Sequence, residues 1–231
     1  MVNGIVRKTT RTTYRKKRYG RRRKYKKRYI ARIPTGSPVP DRMFTTMRYI
    51  HILTLGGTSI PYAQQQYRAN DIYDPDYTGT GNFPLGYDQF LPLFSRYRVH
   101  SSKIVIKPEI TSTQEANNYV IGVYPSNEAQ GVGSAILRDN LARSYNKYMT
   151  TVRTDNSSMI KSYMKTSKLL GVSKAAVRLD DSFSAQMNAH PANPWFWTVY
   201  IGNLTQSGNT GMNAVVEIKY YVEFYDRKML V

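Results

Sequence analysis

Residues 215–225 (VVEIKYYVEFY) alternate apolar and polar positions more cleanly than any other part of the chain. Successive side chains of a strand point to opposite faces, so Val216, Ile218, Tyr220, Val222 and Phe224 share one face. Glu217, Lys219, Tyr221 and Glu223 take the other. Residues 43–55 (MFTTMRYIHILTL) alternate more roughly, are rich in Thr, Tyr and Ile, and end at Gly56-Gly57. They predict a strand that closes in a turn. Residues 97–110 (YRVHSSKIVIKPEI) alternate in their second half, Ile104 and Ile106 against Lys103 and Lys107. Pro108 there marks an edge, a bulge or the end of the strand. Residues 119–124 (YVIGVY, then Pro125) and 195–201 (WFWTVYI) are short apolar β runs. Residues 146–152, 159–164 and 183–187 are weaker strand candidates. Residues 165–178 are rich in Leu, Ala and Lys but contain Gly171, and a short helix and a loop fit equally.

These segments amount to eight strands. Residues 56–96 and 125–145 form long connections of irregular Pro, Gly, Asp and Tyr (DIYDPDYTGTGNFPLGY within the first). Loops of this length are uncommon unless they carry function or interfaces. The expected fold class is all-β, a single eight-stranded jelly-roll sandwich with long loops. An immunoglobulin-like sandwich is the alternative, but its hairpins are shorter and the Cys…Trp…Cys spacing is absent.

Composition changes this picture at one end only. The chain has 231 residues, 34 Lys and Arg, 15 Asp and Glu, and a net charge of +19. Residues 1–40 hold fifteen of the basic residues and no acid. The remaining 19 basic residues face all 15 acids, so residues 41–231 carry only +4. The chain divides at Pro34-Thr-Gly-Ser-Pro38-Val-Pro40, where Pro and Gly make a semi-extended linker. Residues 1–40 are expected to be a disordered arm, because a self-repelling cationic block has too little apolar surface to fold. Residues 41–231 are the jelly-roll domain.

A charge of this size implies a polyanion as partner. The candidate nucleic-acid-binding residues are Arg7, Lys8, Arg11, Tyr14, Arg15, Lys16, Lys17, Arg18, Tyr19, Arg21, Arg22, Arg23, Lys24, Tyr25, Lys26, Lys27, Arg28, Tyr29 and Arg32. Arg forks onto phosphate and Lys meets it as a point charge. The interleaved tyrosines can stack on unpaired bases, at roughly 1–3 kcal/mol per base. The mixture suits flexible single strands of no fixed sequence. The same cluster satisfies a nuclear localisation signal, which makes an import receptor a second expected partner. A membrane-surface anchor would need an apolar face that the arm lacks.

Other chemistry finds little support. With no cysteine, disulfides and thiolate metal sites are excluded, and His51, His100 and His190 are widely spaced. No cofactor is expected. No apolar run reaches the ~18 residues of a membrane span, and the first residues lack the core of a secretory signal. Membrane insertion is therefore not expected. Asp71, Asp74 and Asp76 could converge on calcium from a loop. Asp180-Asp181 could hold a cation or do acid–base work, although adjacent residues of a strand diverge. Ser162-Tyr-Met-Lys165 matches an acyl-transfer S-x-x-K without its partner motifs. Gly79-Thr-Gly81 is too short for a nucleotide fingerprint. Trp195 and Trp197 share a sheet face, for packing or for base stacking. Asn156-Ser-Ser158 and Asn203-Leu-Thr205 match a glycosylation acceptor that needs a secretory route. Arg96, Arg98, Lys103, Lys161, Lys165, Lys168 and Lys174 either solvate the domain or touch nucleic acid.

Tyr97-Arg98-Val99 leads into Ser101-Ser102-Lys103-Ile104, and a Trp-containing strand precedes a last strand ending Phe224-Tyr225-Asp226-Arg227-Lys228. Behind a Tyr-interleaved basic arm, this layout resembles the capsid proteins of circoviruses and related small viruses with circular single-stranded DNA. The arm is richer in lysine than in that family. The resemblance implies a jelly roll, an arm directed inward, and a closed icosahedral homo-oligomer of about sixty copies. It also implies single-stranded DNA as cargo, the virion and, during assembly, the host nucleus as location, and a host attachment factor at the outer loops. Sixty arms at +15 would supply about 900 charges, roughly half those of a genome on the order of two thousand nucleotides. Two other functions compete with a shell. A ribosomal-type nucleic-acid-binding protein would spread its charge over the folded body, which here is near neutral. A nuclease would need a carboxylate cluster or a histidine–metal pattern. No catalytic residues are expected.

Overall fold

The computed structural model describes residues 39–57, 60–78, 82–110, 119–129, 137–151, 159–205 and 210–229. Strand β9 (Thr210–Arg227) lies between β1 (Arg42–Gly57) and β3 (Phe94–Ile110), antiparallel to both. β6 (Ile160–Lys165) extends this sheet beyond β3, and the three-residue β7 (Ser184–Gln186) pairs with the start of β3. The second sheet runs β2 (Tyr62–Arg68), β8 (Phe196–Asn203), β4 (Tyr119–Ser126), β5 (Lys147–Thr151), with each strand antiparallel to its neighbour. The chain crosses between sheets at nearly every step, and only β4 and β5 are consecutive neighbours. Eight principal strands wound this way form a jelly roll, as the alternation predicts, with β7 as a short addition.

The core lies between the two sheets. Val216, Ile218, Tyr220, Val222 and Phe224 all point into it, the face expected of the last strand. Met47, Tyr49, Leu53 and Leu55 join them from β1, and Ile104 and Ile106 from β3. Trp197, Val199 and Ile201 oppose them from β8, with Ile121 and Val123 from β4.

The second sheet is also covered on its outside. Helix α1 (Leu137–Ala142) puts Leu137 against Val120, Tyr124 and Tyr200 in a separate apolar cluster. Every described position of β4 and β8 is therefore buried, which explains why both read as continuous apolar runs instead of alternating.

Two expectations are corrected. The 56–96 connection contains β2, whose YAQQQYR lacks apolar alternation. Gln64 and Gln66 are buried through hydrogen bonds, Gln66 Nε2 donating to Thr198 Oγ1 at 2.9 Å and Tyr62 Oη to Gln64 Oε1 at 2.7 Å. The 125–145 connection contains α1. Of the two readings of residues 165–178 the helix holds, as two short helices, α2 (Thr166–Leu169) and α3 (Lys174–Leu179), joined through Gly171 at φ 69°. The arm residues proposed for nucleic acid, the linker up to Ser37 and Pro38, Gly79-Thr-Gly81 and Asn156-Ser-Ser158 lie outside the described residues. No helix among the described residues is long and apolar enough to cross a membrane.

Candidate functional site

The outer face of the first sheet is open over β1 and β9, and α3 borders it at Ser101 and Tyr163. That face is laid out in rows across the strands. One row runs Arg48, Lys219, Lys103, Tyr163 from β1 to β6. The rows beside it run Thr46, Tyr221, Ser101, Lys165 and Ile50, Glu217, Val105, Lys161. A fourth begins Ile52, Val215, Lys107. The face thus splits lengthwise. Its β1 side exposes Phe44, Ile50, Ile52 and Val215, and its β3–β6 side exposes lysines and tyrosines.

At the Arg42 end of the face sits a charged cluster. A bulge between Val99 and Ser101 takes His100 out of the strand pairing, and its Nε2 lies 2.8 Å from Glu223 Oε2. Arg42 Nη1 donates to Glu223 Oε1 at 3.0 Å. Arg98, 2% exposed, lies 3.9 Å from Glu223, donates to Tyr225 Oη at 3.0 Å and stacks its guanidinium over that ring. Arg96 pairs with Asp181 at 2.8 Å. Burial opposes ionisation of Glu223, but the His100 hydrogen bond and charge, with Arg42, outweigh it and hold the carboxyl below its usual value. Arg96 and Arg98 are thus spent within the domain. Lys103, Lys161, Lys165 and Lys174 form no ion pair among the described residues. Lys168 sits over the Tyr145 ring at 4.5 Å.

The loop aspartates do not converge on a cation. Asp71, fully buried, accepts Tyr97 Oη at 2.6 Å and Tyr73 N at 2.9 Å, and its Oδ2 lies 2.5 Å from His190 Nδ1. Burial pushes its carboxyl up against those hydrogen bonds. Asp74 pairs with Arg68 at 2.6 Å, and Asp76 accepts Gln65 Nε2 at 2.7 Å and Thr78 Oγ1 at 2.9 Å. Each carboxylate pins its own piece of the 56–96 connection. Asp180 caps the following 3-10 turn through Ser182 N at 2.8 Å, while Asp181 goes to the arginines. No three His, Asp or Glu side chains among the described residues could hold a metal ion together.

The remaining motifs have plain structural roles. Ser162 points into the core and Lys165 out of it, so the S-x-x-K pair lies on opposite faces of β6. Trp195 and Trp197 are buried at 0% exposure and pack edge to face. Their indoles donate to Thr166 Oγ1 at 3.1 Å and Ser102 Oγ at 2.8 Å, so packing is their role. Asn203 Oδ1 accepts Thr205 Oγ1 at 2.8 Å and bends its loop.

No family model matches the chain, and no curated protein matches it. Some solved structures are similar. Desmodium yellow mottle tymovirus has a TM-score of 0.44 at 10% identity, covering 89% of this chain and 98% of that one. A decameric BFDV capsid protein has 0.44 at 9% identity, covering 79% and 99%. Cucumber necrosis virus has 0.49 at 13% identity, covering 82% and 58%.

Proposed function

We propose that this chain is a viral coat protein that self-assembles into a small icosahedral shell and packages nucleic acid through its basic arm. The observation that carries the reading is the division of labour along the chain. A jelly roll whose core is closed, and whose second sheet is covered over β4 and β8, carries a charge near neutrality, and the +15 belongs to residues 1–40. A domain that leaves its charge to an arm keeps its faces for other copies of itself. The β1 side of the first sheet's outer face, with four exposed apolar side chains, suits such a contact.

The circovirus-like layout of residues 97–104 and 224–228 supports a finer reading. The shell then has about sixty copies and a single-stranded circular DNA cargo, and the arm also engages the nuclear import machinery before packaging.

Negative-stain microscopy of the purified protein tests the shell. Closed particles are expected with a single-stranded oligonucleotide at moderate salt. Their absence with and without nucleic acid, across salt and pH, would overturn the reading. Deleting residues 1–40 is expected to leave a folded β domain with much weaker nucleic-acid binding and a shallower salt dependence. Undiminished binding would show that the arm is not the main site.

A further inference from the structure

We infer that the β3–β6 side of the first sheet's outer face is a second binding site for single-stranded nucleic acid, separate from the arm. The inference rests on the coat-protein reading and locates where the folded domain meets the packaged strand.

Charge placement is the first support. Lys103 and Lys219 stand directly opposite each other on β3 and β9, and neither forms an ion pair among the described residues. Like charges in directly opposed positions destabilise a sheet. The next cation in the row, Arg48, gives its guanidinium to Glu217 at 2.9 Å, which removes the nearest carboxylate from the lysines. A phosphate lying across the row would relieve the repulsion.

Ring placement is the second. Tyr163 and Tyr221 are 48% and 37% exposed and meet edge to face, with ring centroids 6.1 Å apart. An exposed aromatic face on a sheet can stack a base of any sequence. Lys161 and Lys165 flank Tyr163 on the same face of β6, each about 7 Å away along the strand. A base on Tyr163 would therefore have a cation on either side for its phosphates.

The third support is a groove of about 590 Å³ between the Tyr163 edge and α3, lined by Tyr163, Lys165, Lys174, Arg178 and His100 among others. That volume lies within the range of small-ligand sites, large enough for a nucleotide. Sulfated glycans would also favour the lysines, but they have no use for the two exposed rings. The lysines act as point charges, so the site would bind without sequence preference.

The test uses the full chain and a single-stranded oligodeoxynucleotide substituted with iodouracil. After photo-crosslinking, mass spectrometry is expected to find adducts on Tyr163 or Tyr221 besides those on the arm tyrosines. The oligonucleotide is also expected to protect Lys103 and Lys219 from acetylation. Tyr163→Ala with Tyr221→Ala should abolish the domain adducts while arm adducts persist, and Tyr163→Phe should retain lysine protection. Unchanged circular dichroism would show that the variants fold. Adducts confined to the arm would overturn this site and leave the arm's role intact. Adducts on the domain alone would support the site and overturn the arm's. Lysine protection by a heparin fragment but not by the oligonucleotide would assign the face to a sulfated glycan and overturn the inference.

Discussion

Glu223 lies on the polar side of β9, as its place in the alternation requires, yet it is 1% exposed. Its cover comes from elsewhere in the chain: Arg42 from β1, and Arg98 and His100 from β3, the last freed by the bulge. The carboxyl is held below its ordinary 4.5, so its contribution to stability is present above that pH and lost as pH falls through the folded value. Asp71 has the opposite sign, because burial raises its carboxyl and favours the protonated form in the folded state. Comparing wild type with Glu223→Gln isolates the first effect. The variant is expected to melt lower at neutral pH, with a difference that narrows below pH 4.5 in thermal scans. The partners of Glu223 and Asp71 were not legible in the sequence, since they lie far away along the chain. That Glu223 stands off the core side was legible.

At the level of elements, β9, β1 and the second half of β3 were legible, because one bare face and one buried face impose a period of two. β4 and β8 were legible as apolar runs, but not why. Gly122 shows the reason: Tyr200 lies directly over it, and a Cβ there would strike the Tyr200 ring. Tyr200 in turn donates to Asn146 Oδ1 at 3.2 Å beneath the loop after α1. Gly122→Ala is therefore expected to destabilise the domain by about 1–3 kcal/mol, read from chemical denaturation. The change forces the ring and its partner out of place. β2 was not legible, because its burial depends on side-chain hydrogen bonds and three glutamines in a row carry no hydrophobic period.

At the level of the whole molecule, the two sheets differ in what covers them, and that difference leaves β1 and β9 of the first sheet open on their outer side. Ile52, 76% exposed, and Ile50, Phe44 and Val215 form an apolar strip that water alone does not favour. If the strip is a contact between copies, Ile52→Asp should abolish particles in sedimentation. The monomer's stability should change by no more than about 0.5 kcal/mol, as for most surface substitutions. Particles of normal size from the variant would place the contact elsewhere.

By itself, the sequence determined the charge of residues 1–40, the β class and which residues of β9 face the core. Charge is a sum and alternation a local period, so neither needs a partner to be read. Only the tertiary structure decided which strands stay open on their outer side, which cations are spent on Glu223 and Asp181, and which tyrosines meet lysines on the open sheet. Those outcomes depend on strand register, on a bulge at one residue and on where a short helix lands. All three are set by residues distant in sequence and adjacent in space.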